Sequence, residues 1–293
     1  MSKLIDKNNV IYSFNQENKA IAKVKPGEEF TISTYDCFSG QLKSEDDAIS
    51  EMNWDHINPA TGPVFIEEAK KGDILKVEIL SIELESPAVM IAAPGEGVLG
   101  HLVKDSIAKI LPIEENKLIF SDKYQFDIEP MVGVIGIAPE EGYDISTGTP
   151  GEHGGNMDCK LLGPGASVYF KVQIDGALLA AGDMHALMGD GEIVVCAAEA
   201  GGRIKLKTEI IKNNKMVVPF IEKGQLISTV ASAETLDEAV EMATEKMANY
   251  LVKNYDLDLT EAGMIMSLIG DAEICQVVDP LKTARFTIDK SKL

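Results

Sequence analysis

The residues with the clearest potential for chemistry lie near the middle of the chain, in the stretch AGDMHALMGDGE at 181–192. Asp183 and His185 are two positions apart, and on a β-strand such side chains face the same side, about 7 Å from each other. A carboxylate and an imidazole presented in this way can bind one divalent cation. The pair therefore predicts a metal site. The alternative is that both side chains bond only to backbone groups or water.

The dipeptide Asp190-Gly191 favours a two-residue hairpin turn directly after this strand. With that turn, Gly189 would pair with Glu192, and His185 would lie opposite Cys196. Glu192 would then share a face with His185, but about 13 Å further along a flat strand. Glu192 is therefore expected to reach the same ion only if the ribbon bends.

A second set of polar residues lies in a loop at 139–166 that is rich in glycine and proline. A connection of this length inside a compact domain is usually functional or disordered. It contains His153, Asn156 and Asp158, together with glycines that let backbone approach a ligand closely. A flexible linker has little need of these three polar residues together, so we favour a binding site over a linker.

Two further positions have two interpretations each. Asp36 ends a strand in which Phe30, Ile32 and Thr34 share its parity, so it is either an inward-facing ligand or base, or a cap for the turn that follows. Asn58 opens the stretch NPATGP, whose prolines restrict the backbone to turns. Such a rigid loop can line a pocket or only turn a corner.

Composition narrows the classes of partner. The chain has 293 residues and a formal net charge of −20, which argues against nucleic acid and anionic membrane surfaces as partners. Its four cysteines are widely spaced and form no disulfide framework. The first residues lack an apolar signal segment, and no apolar run is long enough for a membrane span. We therefore expect a cytoplasmic, reduced protein.

Strand patterns dominate the first three quarters of the chain and predict a mainly β fold with sandwich-like or barrel-like β domains. Turns at Asp175-Gly176 and Asp190-Gly191 predict a β-meander, continued beyond a turn at Asn213-Asn214. In the tail, a capping box at 235–238 predicts a helix to about 250 or 254, and Thr260 begins a second helix. We expect an N-terminal β domain at 1–150, a β-meander domain with the metal motif at 151–225, and a small C-terminal α+β unit at 226–293.

Taken together, four motifs resemble those of the acetamidase/formamidase family. They follow one another as Asn58-Pro-x-Thr-Gly-Pro63, His153-Gly-Gly-Asn-x-Asp158, Gly182-Asp-x-His-Ala186 and Gly189-Asp-Gly-Glu192. The tail MIMSLIGDAEICQVVDP is also similar, so the resemblance runs from about Asp36 to Pro280. Met188 stands where a polar residue, often Gln, is expected, and this departure leaves the identity of the substrate open.

The resemblance implies a mostly β protein with an α+β tail that hydrolyses short amides to carboxylate and ammonia. It also implies a divalent-ion site, with zinc named first and calcium second; an oxygen-rich ligand set keeps calcium or manganese open. Asp36, Asp183 and His185 would hold the ion, with Asp158 or His153 completing or flanking the shell. The remaining roles are a proton shuttle by Glu192 or Asp158, oxyanion donation by Asn156 and the Gly154-Gly155 amides, and substrate binding by Asn58.

Two other functions remain open from the sequence. A non-catalytic acidic β module could bind a cation or a partner through the same loops. Alternatively, the same scaffold and metal could hydrolyse another amide, a carbamoyl compound or an ester. In each case we expect a homo-oligomer, most simply a homodimer.

Overall fold

The computed structural model describes residues 3–212 and 216–293. These residues form many β-strands and two α-helices, both helices near the C-terminal end, so the prediction of a mainly β fold with a small C-terminal α+β unit is confirmed. The helices are α1 (Leu236–Asn254) and α2 (Leu259–Ile269). The strands are β1 (Lys3–Ile5), β2 (Val10–Ile11), β3 (Ser13–Phe14), β4 (Ala22–Val24), β5 (Glu29–Thr34), β6 (Ala60–Ile66), β7 (Ile74–Leu84), β8 (Ala88–Ala92), β9 (Ile107–Leu111), β10 (Ile113–Glu114), β11 (Lys117–Ile119), β12 (Gln125–Asp127), β13 (Met131–Gly136), β14 (Ile145–Ser146), β15 (Ala166–Lys171), β16 (Leu179–His185), β17 (Glu199–Ala200), β18 (Gly202–Ile211), β19 (Phe220–Lys223), β20 (Leu226–Ala233), β21 (Gly270–Gln276) and β22 (Lys282–Asp289).

The larger of the two main sheets has nine strands in the order β1-β5-β18-β7-β15-β19-β20-β22-β21. All neighbours are antiparallel except β1 and β5. Strands from 1–150, 151–225 and 226–293 all contribute to it. The three segments predicted as domains therefore share one continuous sheet.

The second main sheet has eight strands, and β16 lies at its centre. β16 pairs with β6, β13 and β17, and every residue of β16 is buried. Alternate residues of both sheets meet in the main hydrophobic core, for example Ile32 and Val77 from the large sheet and Val132 and Leu179 from the other. The two sheets are therefore packed face to face, with the Asp183-x-His185 motif on a fully covered strand.

The predicted β-meander is wrong, because consecutive strands lie in different sheets. β15 pairs with β7 and β19, whereas β16 belongs to the other sheet. After Gly176, at φ 82°, Ala177 and Leu178 also take positive φ values of 58° and 57°. These successive left-handed residues carry the chain across the sandwich instead of folding it back in a two-residue turn. The predicted turn at Asn213-Asn214 lies outside the described residues.

The C-terminal unit extends the edge of the large sheet with β20, β22 and β21 and covers it with both helices. The predicted capping box is present, since Thr235 accepts from the N–H of Glu238 and the Glu238 side chain accepts from the N–H of Thr235. A second capping box, at Asp258, starts α2 just before the predicted Thr260. The apolar face of α1 packs on β22. No helix in the described ranges is long and apolar enough to cross a membrane.

Candidate active site

The imidazole of His185, at the end of β16, lies at the centre of a buried group of acids. Its Nε2 atom is 3.5 Å from Asp183 Oδ1 and 3.6 Å from Asp158 Oδ1. The same atom is 3.2 Å from Oε2 of Glu199. All four side chains are almost fully buried. The structure thus brings the strand motif together with Asp158 of the glycine-rich loop.

Gly133 on β13 leaves the space in which two of these carboxylates meet. A Cβ atom at this position would lie 2.5 Å from Asp158 Oδ1 and 2.8 Å from Asp183 Oδ2. In the antiparallel register, the neighbours Val132 and Val134 pair with the residues on either side of Asp183. The close approach of the two acids therefore depends on the absence of a side chain on the adjacent strand.

Three of the acids have a backbone conformation that is uncommon for non-glycine residues. Asp158, Asp183 and Glu192 have φ values of 42°, 52° and 51°. Such strained conformations persist where the surrounding structure enforces them, and they concentrate at functional sites. The left-handed backbone at these three positions therefore accompanies the convergence of acids from different chain segments in one buried group.

Glu199 lies opposite His185, where the sequence pattern had placed Cys196. The predicted register, with His185 opposite Cys196, is wrong, because His185 pairs with Glu199 of β17. The predicted hairpin turn at Asp190-Gly191 does not form, because Gly191 makes a β-bridge with Gln276 of the C-terminal unit. Residues 186–198 form a long loop instead. The only trace of Glu199 in the sequence is a single charged residue in the apolar run VVCAAEA.

We expect Glu199→Gln to weaken the binding of a divalent cation by about 10–100-fold, as loss of a charged partner at a metal site typically does. The amide keeps the shape of the side chain but removes its negative charge beside His185. Titration of the apoprotein with Zn²⁺ would measure the change. Glu209→Gln is the matched control, since the side chain of Glu209 is largely exposed and lies on β18, in the other sheet from His185. Equal Zn²⁺ affinity in the two variants would contradict the role of Glu199.

Glu192 reaches the group from the 186–198 loop. One of its carboxylate oxygens lies within 4.8 Å of ligand atoms of both Asp158 and His185. The side chain is only 7% exposed. The bend that this contact requires is made by the loop rather than by a hairpin.

Asp279, in the turn between β21 and β22, also faces this site and was missed from the sequence. Its Oδ2 atom accepts a hydrogen bond of 3.0 Å from Nδ2 of Asn156. The side chain of Gln276 accepts the N–H groups of Val278 and Asp279 and so holds the turn. Asp279 lies within the tail MIMSLIGDAEICQVVDP, but no local pattern gives it a role, because only the folded C-terminal unit brings it to the glycine-rich loop.

Asp36 was predicted to be either a turn cap or an inward-facing ligand, and the structure gives Asp36 the contacts of a cap, while its neighbour Cys37 faces the acids. Oδ1 of Asp36 accepts from the N–H of Gly40, so its carboxylate caps the turn that follows the strand. The Sγ atom of Cys37, in contrast, lies within 4.8 Å of carboxylate oxygens of Asp183 and Glu199. The structure therefore places the thiol of Cys37 where it could share an ion with Asp183 and Glu199, whereas the carboxylate of Asp36 caps a turn.

The remaining predicted residues line the region without joining the acids. Burial lowers the pKa of His153 to about 4, and its ring packs edge-on against Phe14. The N–H groups of Gly154 and Gly155 donate to the carbonyls of Gly151 and Ile135. An oxyanion donor needs a free N–H group, so that role of the two amides stays a prediction. Asn58 takes a left-handed backbone conformation, and its N–H donates to the carbonyl of Cys37.

Burial dominates the electrostatics of the site. It raises the pKa of Glu199 to about 7, and together with neighbouring acids it raises the pKa values of Asp158 and Glu192 well above the ordinary range. Burial alone would lower the pKa of His185, but the carboxylates of Glu199 and Asp183 outweigh it and raise that pKa. Without a bound cation, the raised pKa values favour the protonated form of some of these carboxyl groups, because one imidazolium cannot neutralise all of them.

Several oxygen atoms here are buried without a hydrogen bond from the described residues. They are both carboxylate oxygens of Asp158, Oδ1 of Asp183 and Oε2 of Glu199, with His185 only at ion-pair distance. Buried polar atoms without partners are rare and destabilising. A divalent cation would satisfy both the charge and the free oxygens. Two sets of side chains could hold one: Asp158, His185 and Glu192, or Cys37, Asp183 and Glu199.

The chain is similar to known formamidases and acetamidases. A formamidase from Methylophilus methylotrophus is 27% identical over 255 residues, which cover 66% of this chain and 62% of the relative, so the chain matches less than two thirds of that protein. The crystal structure of an acetamidase from Bacillus halodurans superposes with a TM-score of 0.97 at 42% identity, covering 99% of this chain and 98% of that one.

A predicted acetamidase/formamidase from the thermophile Thermoanaerobacter tengcongensis superposes equally well, with a TM-score of 0.97 at 46% identity, covering 100% of this chain and 97% of that one. Residues 6–144 and 144–279 match the model of the acetamidase/formamidase family. These matches span most of the chain and include all the residues gathered around His185. The chain belongs to the acetamidase/formamidase family.

Proposed function

We propose that this protein is a metal-dependent amidohydrolase that cleaves short linear amides, of the formamide and acetamide kind, to carboxylate and ammonia. The observation that carries the proposal is the buried group around His185, in which carboxylate oxygens of Asp158 and Asp183 have no hydrogen-bond partner among the described residues. The names of the relatives and the family membership supply the substrate class.

A divalent cation is part of this proposal. Asp158, His185 and Glu192 would hold it, and Asp183 and Glu199, whose carboxylate oxygens lie near the same Nε2 atom of His185, could be further ligands. When bound, a cation such as zinc polarises an amide carbonyl and lowers the pKa of a bound water to about 7. The imidazole and the thiol of Cys37 favour zinc, whereas the excess of carboxylates keeps calcium and manganese as alternatives.

The acids of this chain would move the proton that amide cleavage requires. Amide nitrogen is a poor leaving group and must be protonated as it departs. Burial raises the pKa values of Glu192 and Asp158 in the absence of a cation, and whichever of the two carboxyl groups does not bind the cation could hold a proton and deliver it to nitrogen. Glu192 is the better placed of the two, because its loop position leaves it slightly exposed to an incoming substrate.

Asn156 would stabilise the negative charge that develops on the carbonyl oxygen. One N–H of its side-chain amide donates to Asp279, which fixes the orientation of the group. The amide has a second N–H, and we propose that this N–H donates to the developing oxyanion. Asn58 is proposed to line the path of the substrate, in keeping with its place beside Cys37.

Removal of the metal tests the proposal directly. We expect the purified protein to contain about one divalent ion per site, to release ammonia from formamide or acetamide, and to lose this activity on chelation and regain it with Zn²⁺. A cation-binding module without catalytic activity would lose only thermal stability on chelation. A panel of small amides, carbamoyl compounds and esters would separate the proposed substrates from the alternative ones. Ammonia release that survives complete metal removal would contradict the proposal.

A homodimer and a cytoplasmic location remain predictions from the sequence. Light scattering of the purified protein would measure the subunit number. Neither property is required by the chemistry proposed for the buried group.

A further inference from the structure

The carboxylate of Asp190 lies between two cations of other chain segments. Nη1 and Nη2 of Arg285 donate to Oδ1 and Oδ2 of Asp190 at 2.9 Å and 2.8 Å. Nζ of Lys160 is 2.9 Å from Oδ2 of the same carboxylate. The side chain of Arg285 is 1% exposed and that of Asp190 is 27% exposed, so the guanidinium group is shielded from water while the carboxylate is partly open to it. Bidentate, charge-assisted contacts of this kind are strong and geometrically specific.

Each of the three residues belongs to a segment that also carries an acid of the candidate site. Lys160 follows Asp158 by two residues in the glycine-rich loop, and Asp190 precedes Glu192 by two residues in the 186–198 loop. Arg285 lies on β22, directly after the turn that carries Asp279. One carboxylate therefore connects the three segments at a point next to the site.

Further hydrogen bonds of the C-terminal unit hold Arg285 and the Asp190-Gly191 dipeptide in place. Nε of Arg285 donates to Glu273, and Nη1 also donates to the carbonyl of Ile274. The N–H of Gly191 donates to the carbonyl of Cys275 at 2.8 Å. The dipeptide that looked like a hairpin turn in the sequence is therefore bound to β21 and β22, and these bonds fix the orientation of the loop that carries Glu192.

We propose that Asp190 is a positioning residue whose carboxylate joins these three segments and so holds Asp158, Glu192 and Asp279 in the arrangement that binds the cation. The Asp190-Gly191 dipeptide thus serves as a junction rather than as a turn. The catalytic consequence rests on the proposed function, whereas the ordering of the three segments does not.

The variant Asp190→Asn tests the junction, because it keeps the shape of the side chain and removes the charge that Arg285 and Lys160 share. The matched control is Asp175→Asn in the other Asp-Gly dipeptide, where the carboxylate is exposed and bonds to Lys70. We expect kcat to fall about 10–100-fold with little change in KM, and the affinity of the apoprotein for Zn²⁺ alone to fall by a similar factor. The control should change neither quantity.

Hydrogen exchange of the apoprotein provides a measurement that does not depend on activity. In Asp190→Asn, exchange should quicken in three separate segments, 152–165, 186–198 and 274–283, and it should stay unchanged in all three in Asp175→Asn. Faster exchange in 186–198 alone would overturn the junction, because it would show that Asp190 orders only its own loop. Unchanged Zn²⁺ affinity would overturn it as well.

The outcomes also separate this inference from the proposed function. If the wild-type protein hydrolyses no amide, but Asp190→Asn weakens Zn²⁺ binding and quickens exchange in all three segments, the junction stands and the proposed function fails. If Asp190→Asn does not fold, Lys160→Met replaces it, since Lys160 is partly exposed and less deeply embedded. That variant should quicken exchange in 152–165 and 186–198, and unchanged exchange in both would overturn the junction.

Discussion

The His185→Ala variant is expected to release ammonia from formamide or acetamide on the order of 10³-fold more slowly than the wild-type protein, which corresponds to about 4 kcal/mol of lost transition-state stabilisation. The reason is the position of the imidazole. Its Nε2 atom lies within 3.6 Å of carboxylates from Asp158, Asp183 and Glu199, and it is the only one of these four side chains that is not an acid. Without it, the cation loses a ligand and the acids repel one another.

The measurement for His185→Ala combines ammonia release with metal content of the purified variant. His101→Ala is the control, because His101 is exposed and lies outside the group around β16. Asp183→Ala should behave like His185→Ala, since both residues project from the same strand into the same contacts. Full activity of either variant, with thermal unfolding showing a folded protein, would remove the mechanism proposed above.

The second large effect is expected from a residue without any functional group. Gly133→Ala should abolish measurable turnover or reduce it by more than about 100-fold, because a methyl group 2.5 Å from Asp158 Oδ1 must push the carboxylate away from its position. Overpacking of this kind also destabilises a protein by about 1–3 kcal/mol. Zn²⁺ affinity, turnover and the free energy of unfolding would each be measured.

Gly263→Ala is the control for Gly133→Ala. A Cβ atom at Gly263 meets nothing within 4 Å, and the residue lies inside helix α2, where alanine stabilises a helix by about 1 kcal/mol relative to glycine. The control should therefore keep full activity and gain stability. Wild-type Zn²⁺ affinity in Gly133→Ala would show that the two carboxylates do not need their close approach.

Local sequence patterns were sufficient for the elements whose determinants lie within a few residues. The capping box at 235–238 predicted the start of α1, because the side chain and backbone that bond there are three residues apart. The two-residue spacing of Asp183 and His185 predicted a shared face, since alternation along a strand is a local property. The glycine-rich loop at 139–166 predicted a site, and it delivers Asp158 to His185.

The turn signals failed where distant contacts compete with local geometry. Asp190-Gly191 has the composition of a hairpin turn, yet its carboxylate binds Arg285, about a hundred residues away in the chain. The hairpin register consequently gave Cys196 the place that Glu199 occupies opposite His185. At Asp175-Gly176 the chain crosses between sheets, because β15 pairs with β7 and β19 and the strand that follows it belongs to the other sheet.

The sequence by itself determined the mainly β composition, the C-terminal helices and the chemical types at the heart of the site, because each of these depends on residue type and short-range spacing. Only the tertiary structure decided that Glu199 and Asp279 join Asp158 and His185, that Asp36 caps a turn while Cys37 approaches the acids, and that the amides of Gly154 and Gly155 are already bonded. The physical reason is that these contacts join segments separated by tens of residues or more. Their geometry is set by sheet register and by the packing of the C-terminal unit, which no local pattern encodes.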